Sequence, residues 1–368
     1  MKVLVTGSNG FIGKNLIVSL NECNEIEVLT FSHQAGLTDL AELIAEADFI
    51  FHLAGVNRPE NENEFEIGNA EFTSILCDLI KEQNRNIPVV YTSSIQVEQD
   101  NLYGQSKQKA ESHLIRLHDD TQNDVYIYRL PNVFGKWCQP NNNSVVATFC
   151  YNIVNNLPII IHDPKTELNL VHIGAVVTSF LAVLFSPRKN QMYIQIDPVY
   201  KITLGELAEK LMSYKRSRET LMTEEVGCGF DRVLYATYIS YTSPSNFSYS
   251  LAKHEDHRGV FVEMLKTRKS GQLSFFTAHP GITRGGHYHH CKTEKFLVIK
   301  GKARFKFRHI ITGETSELIS SGDEPEIVET IPGWSHDITN IGDDELIVML
   351  WANENYNPNK PDTVSYEV

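Results

Sequence analysis

No two of the six cysteines (Cys23, Cys77, Cys138, Cys150, Cys228 and Cys291) form a C-x-x-C pair, and their scatter excludes a disulfide framework. Reduced thiols in a cytoplasmic compartment are expected instead. No apolar run approaches the roughly 18 residues of a membrane span, and the sequence enters "KVLVTG" at once with no signal peptide, so membrane insertion is not expected. A basic excess is also missing. The formal net charge of -13 excludes a general nucleic-acid binder, yet a few local cations could still grip an anionic small substrate. Internal repeats and low-complexity tracts are absent. What remains is 368 residues, 42% hydrophobic and 21% charged, a length and composition that predict two globular domains with sizeable cores.

The first half alternates two textures. "KVLVTG", "IEVLTF", "DFIFHLAG", "IPVVYTSS" and "DVYIYRLPNVFG" read as apolar strands. "GKNLIVSLNEC", "TDLAELIAEA", "NAEFTSILCDLIKEQN" and "YGQSKQKAESHLIRLHDD" between them read as helices. Such alternation predicts a parallel sheet covered on both faces. Between about Trp137 and Pro244 the pattern is irregular, with helices predicted in "NSVVATFCYNIVNN" and "TLGELAEKLMSYKR". The Ser-rich "YTSPSNFSYS" (Tyr241 to Ser250) is the expected linker, dividing the chain into domains 1–243 and 244–368. Beyond it, short β-runs separated by turns predict an antiparallel barrel or sandwich.

In "VTGSNGFIG", Gly7, Gly10 and Gly13 follow a strand and open a helix. Glycine there allows a tight turn and a close approach of backbone to a pyrophosphate at the positive helix N-terminus. The acid that binds a ribose 2′-hydroxyl should stand near the end of the next strand. No Asp or Glu occurs from Val28 to Leu37, and Ser32 and His33 occupy the place, which favours NADP(H) over NAD(H). Further on, Ser94 ends a strand, and "YGQSK" sets Tyr103 and Lys107 at i, i+4 on one helix face. A lysine ammonium beside a phenol lowers its pKa from about 10, suiting the tyrosine to proton exchange with a carbonyl or alcohol.

Through "TGSNGFIG", "FHLAG", Ser94, "YGQSK" and "RLPNVFG", most of the chain before Tyr241 resembles the extended short-chain dehydrogenase/reductase family. The resemblance implies a Rossmann fold and hydride transfer at a sugar carbon of a nucleotide sugar. It implies catalytic roles for Ser94, Tyr103 and Lys107. Cofactor contacts would come from Gly7, Asn9, Gly10, Phe11, Ile12, Gly13, Ser32, His33, Leu53, Ala54, Gly55, Tyr103 and Lys107, and substrate contacts from Asn132 and His172.

The other end carries a different chemistry. In "RGGHYHHCKTEKFLVIKG" (Arg284 to Gly301), His287 and His289 share one face of a strand while Tyr288 and His290 face the other. Glu294 follows, and "IPGWSHDITN" adds His336. Three imidazoles and a carboxylate suit zinc, iron, manganese or nickel. Both blocks resemble the cupin signature, which implies a small β-barrel with a divalent metal, zinc the expected ion, on His287, His289, Glu294 and His336. "DHRGVFVEML" and "TRGGHYHH" resemble the nucleotide-sugar 3,5-epimerases, in which the histidine matching His287 is the base. A metal-bound imidazole has no lone pair left for that role, so with metal bound the base falls to His290 or Lys302.

The fold class expected is an α/β Rossmann domain followed by an all-β cupin barrel. Over its whole length the sequence resembles the reductase–cupin fusion enzymes of capsular polysaccharide synthesis. That resemblance implies C3 epimerisation of a UDP-2-acetamido-2,6-dideoxy-4-hexulose by the cupin domain. NADPH reduction at C4 then gives a UDP-N-acetyl-L-talosamine-type product, on the route to UDP-N-acetyl-L-fucosamine. A homodimer is expected. Two other classes stay open: a 4-ketoreductase carrying a non-catalytic, metal-stapled dimerisation module, and a metal-dependent oxygenase.

Overall fold

The computed structural model describes every residue except 33–35, 143, 188–190, 252–253, 257–258, 262–264, 268–270 and 355–358. The chain packs as two units. One holds Met1–Phe134, Asn141–Ser144 and Leu168–Lys201; the other holds Gly135–Pro140, Val145–Glu167 and Ile202–Val368.

In the first unit the five expected strands are all present: β1 (Lys2–Thr6), β2 (Glu27–Phe31), β3 (Phe49–His52), β4 (Val89–Ser94) and β5 (Val125–Leu130). They pair in parallel in the order β2-β1-β3-β4-β5. Successive strand residues point to opposite faces, and both faces are apolar. Val3, Val5, Phe49 and Phe51 pack with Leu16 and Leu20 of α1 (Phe11–Asn21) and with Val176 and Phe180 of the helix Ile173–Phe185. Leu4, Ile50 and Val89 pack on the other side with Leu40, Ile44, Leu76, Ile80 and Leu114. The chain order reverses between β1 and β3, and α/β sheets take their ligands at the strand ends beside such a switch.

The second unit contains two antiparallel five-stranded sheets. One runs Ser248–Ser250, Glu326–Thr330, Glu294–Lys300, Leu346–Ala352, Gln272–Ala278. The other runs Thr315–Ser321, Lys302–His309, Trp334–Asn340, Thr283–Tyr288, Val364–Ser365. The expected linker is ordered structure instead. Ser248–Ser250 is a sheet edge, and Phe247 is fully buried with its ring centroid 5.1 Å from Phe307 and 5.2 Å from Trp334. Serine-rich composition pointed to a loop, but one buried aromatic anchors it. Much of "DHRGVFVEML" lies outside the described residues.

The helix Leu204–Thr220, expected from its spacing, also packs in this unit. Its Arg218 forms an ion pair with Glu329, which the Lys295 ammonium meets at 2.9 Å, and all three side chains are largely or wholly buried. The Arg218 guanidinium stacks 5.2 Å over the Tyr249 ring. Among the described residues no helix is long and apolar enough to cross a membrane.

Removing one member of a buried ion cluster leaves the others unpaired, at a cost of roughly 3–5 kcal/mol. Glu329→Ala is therefore expected to destabilise the second unit by that order in urea unfolding. A loss below about 1 kcal/mol would show that water reaches Lys295 and Arg218.

Candidate functional site

The glycine loop joins β1 to α1. Gly7 has φ +68°, and a Cβ there would stand 2.7 Å from the backbone nitrogen of Ala54. Gly10 caps α1 without any side-chain hydrogen bond, so the first-turn N–H groups face outward for an anion. Leu53, Ala54 and Gly55 follow β3 directly, and the backbone nitrogen of Ala54 donates to Thr6 Oγ1 at 3.3 Å. The loop thus has the bare, close-approach backbone that a pyrophosphate needs. Ser32 is half-buried just past β2, and His33 lies outside the described residues.

Ser94 closes β4, while Tyr103 and Lys107 lie on the helix Leu102–Thr121. The Tyr103 phenol is hydrogen-bonded to the Ser94 side chain; burial pushes its pKa above 10, and that bond works against the rise. The phenol is thus raised by desolvation rather than depressed as the Tyr–Lys spacing predicts. Lys107 is buried with its ammonium 2.9 Å from the Thr92 carbonyl. Burial lowers its pKa to about 8, against a smaller upward pull from Glu111 one turn on. Glu111 is itself held by a two-point contact with Arg129, at 2.7 and 3.1 Å, and by the Ser93 hydroxyl.

Sequence reasoning missed Asn69. It sits in a π-helical stretch, Glu66–Glu71, a rare form concentrated at functional sites. Its amide donates to the Val56 carbonyl and to Ser106 Oγ, each at 2.9 Å, and Ser106 donates to the Tyr103 carbonyl at 2.8 Å. The widened helix turn was the only signal, and it is invisible in spacing. Asn132 is exposed at the start of the strand Asn132–Phe134. His172 is buried, and its Nδ1 accepts from Gly174 N at 3.1 Å, capping the helix Ile173–Phe185.

In the second unit His287, His289, Glu294 and His336 converge, their ligand atoms all within 4.8 Å of one another. Neighbouring strands set them opposite each other: His287 pairs with His336 in register. A bulge at Gly285 and Gly286 (φ +102° and +73°) precedes His287, and a Cβ on Gly285 would meet the His336 carbonyl at 2.8 Å. Burial is the largest influence lowering His287 to about 3 and lowering His336, so both imidazoles are neutral. The buried Glu294 carboxyl is held well below the usual range by contacts from His289 and His336. Its Oε2 lies 3.1 Å from His289 Nε2 and 3.3 Å from His336 Nε2, and Oε1 lies 2.9 Å from the Lys292 ammonium.

Three imidazole nitrogens and a carboxylate oxygen fit a divalent transition ion. Bonds of about 2.1 Å keep any two donors within about 4.2 Å, which small side-chain rotations would reach. His289 Nδ1 contacts the main-chain carbonyl of Asp362, an acceptor only. Nδ1 therefore donates to that carbonyl, which leaves Nε2, on the Glu294 side of the ring, as the nitrogen that could bind a cation.

The two residues expected as alternative bases are elsewhere. His290 Nδ1 is 3.2 Å from the buried Lys136 ammonium, and its ring packs on Tyr288, just past the strand end and outside the cluster of His287, His289, Glu294 and His336. Lys302 is exposed, five residues along its strand from Phe307, the residue opposite His336; that is about 17 Å. The structure brings neither to the cluster. Lys292 and Asp362, which the sequence did not single out, are the polar neighbours that touch it.

The NAD dependent epimerase/dehydratase family model matches residues 3–196, more than half of the chain. The chain belongs to that family. Residues 254–364 match the polysaccharide biosynthesis C-terminal domain. The chain is 56% identical over its full length to a UDP-2-acetamido-2,6-beta-L-arabino-hexul-4-ose reductase of Pseudomonas aeruginosa, covering 99% of that protein. It resembles capsular polysaccharide assembling protein CapF from Staphylococcus aureus at 40% identity and TM-score 0.69, with both chains covered fully. A UDP-glucuronic acid 4-epimerase from Bacillus cereus, at 17% identity and TM-score 0.51 over 60% of this chain and 83% of that one, shares the fold.

The depressed Lys107 makes a stability prediction. The unfolded lysine titrates at 10.5 and the folded one at about 8, so the unfolded chain binds more protons between those values. Stability therefore rises with pH from about 8 to 10.5, and below 8 the burial cost is fully present. Lys107→Met is expected to raise stability at pH 7 by up to roughly 3 kcal/mol, with a smaller gain at pH 10. Denaturant unfolding at both pH values checks this; an equal effect at both would mean that the ammonium is hydrated.

Proposed function

We propose that the chain is an NADPH-dependent reductase of UDP-linked 4-keto sugars that also epimerises the sugar at C3, in capsular polysaccharide precursor synthesis. The observation that carries the reductase is the Ser94–Tyr103 contact with the buried Lys107 one turn along, beside the bare glycine loop. The substrate class is supported by the full-length likeness to the Pseudomonas aeruginosa reductase and to CapF. The reductase domain is taken as 1–243 and the cupin-type domain as 244–368.

On this reading the C4 carbonyl oxygen of the sugar lies against Tyr103, whose hydroxyl donates the proton, while Ser94 steadies the same oxygen. Lys107 then restores the phenol's proton, a task for which a pKa of about 8 is suited. NADPH held on the glycine loop supplies the hydride. The C3 step precedes it, because removing the proton at C3 needs the carbonyl that reduction consumes. The metal proposed on His287, His289, Glu294 and His336 is zinc, and what it supplies there is Lewis acidity toward a nearby carbonyl. The product is of the UDP-N-acetyl-L-talosamine type, and the protein is taken to be a cytoplasmic homodimer.

A second reading makes the β-domain a non-catalytic, metal-stapled module on a stand-alone 4-ketoreductase. The placement of His290 and Lys302 away from the cluster favours it.

Tyr103→Phe is expected to cut NADPH oxidation by a factor of about 100 or more while leaving NADPH affinity intact. Near-normal turnover would remove Tyr103 as proton donor. For the C3 step, incubation of the keto sugar in deuterium oxide without NADPH should place deuterium at C3. His336→Ala should abolish both this exchange and bound metal. Absence of exchange in the wild type would sink the epimerase and leave the second reading.

A further inference from the structure

We propose that Asp362, near the C-terminus, is a positioning residue for the metal centre. The proposal rests on the reading of His287, His289, Glu294 and His336 as metal ligands. Asp362 stands 72 residues from His290, and both its side chain and its main chain converge on the turn between two ligand-bearing strands. Its Oδ1 accepts from His290 N at 2.8 Å, and its Oδ2 accepts from Cys291 N and Lys292 N at 2.6 Å each. Three successive backbone N–H groups are thereby fixed by one carboxylate. Its own carbonyl accepts from His289 Nδ1. Arg232 holds the carboxylate from behind at 3.5 Å. Two residues later Val364–Ser365 adds a short strand beside His287, with Ser365 opposite His287 and Val364 opposite Tyr288.

The consequences for the ligands are specific. A carbonyl can only accept, so the contact at Nδ1 keeps the hydrogen on that nitrogen and presents Nε2 toward Glu294. The clamped turn fixes the spacing between His289 and Glu294, and it carries Lys292, whose ammonium engages Glu294 Oε1. That engagement leaves Oε2 as the oxygen facing His289 and His336. Losing the carboxylate would free three N–H groups at once and release both the ring orientation and the oxygen choice. Outer partners of this kind typically change metal affinity 10- to 100-fold.

The test uses the full-length protein, stripped with a chelator and titrated with Co2+ and with Zn2+ in competition with a chromophoric chelator. Asp362→Asn keeps the shape and one acceptor; Asp362→Ala removes both oxygens. Metal affinity is expected to fall at least tenfold in each, and the visible absorption band of the Co2+ form, which reads ligand geometry, is expected to shift. Near-UV circular dichroism of the metal-free proteins is expected to match wild type. Should Asp362→Ala not fold, Asp362→Asn carries the test. Unchanged affinity and an unchanged Co2+ band, with only a lower unfolding temperature, would make Asp362 a fold support and overturn the proposal. A wild type that takes up neither ion overturns the metal reading itself, and this inference with it.

Discussion

A carboxylate taken out of water must be met by cations or N–H donors, and much of this structure's chemistry is arranged around four that are. Glu111 is met by Arg129 and Ser93, Glu329 by Lys295 and Arg218, Glu294 by two histidines and Lys292, and Asp362 by three backbone N–H groups and Arg232. Each set draws together segments far apart in sequence. Glu111 joins the helix of Lys107 to β5; Glu329 joins a helix to a sheet; Asp362 joins the C-terminal segment to the histidine turn. The acidic net charge is therefore no guide to these places, where cations and N–H groups are concentrated locally.

Burial also sets the acid–base character of the reductase residues. An exposed Tyr–Lys pair would leave the lysine charged through the whole neutral range. Here the same desolvation that raises the Tyr103 phenol brings Lys107 down to about 8, so the lysine becomes the stronger acid of the two and can hand a proton to the phenolate. Glu111 limits that descent, and Arg129 keeps Glu111 in place. The lysine thus keeps a proton available at neutral pH while remaining able to release it.

The first unit was legible because its signals are periodic and local. Apolar runs such as "KVLVTG" sit between helices of ordinary spacing, and glycine loops and i, i+4 pairs are contained within a dozen residues. The histidine cluster was legible for the same reason on a period of two. Besides Lys292 and Asp362, three features were not legible. Phe247 turns a serine-rich stretch into packed structure through contacts with Phe307 and Trp334, more than fifty residues on. Asn69 works through a π-helical turn that leaves no trace in composition. The strand Thr315–Ser321, "TSELISS", has only one well-buried residue and so shows no apolar face.

The pleat explains why the histidine run divides as it does. In the strand Thr283–Tyr288 successive residues face opposite ways, so His287 reaches His336 while Tyr288 faces Tyr366; just past the strand end His289 joins the cluster and His290 meets Lys136. Two glycines in positive φ just before His287 shift the register, and it is after this bulge that His287 comes opposite His336. A one-residue slip would exchange the two sets and bring one histidine to the cluster in place of two. The steep dependence on register accounts for the restraints gathered at this turn: a bulge on one side, a clamped run of N–H groups on the other, and a short strand beside both. The site's geometry is thus fixed by backbone contacts from three separate parts of the chain, and the histidines only occupy the positions those contacts create.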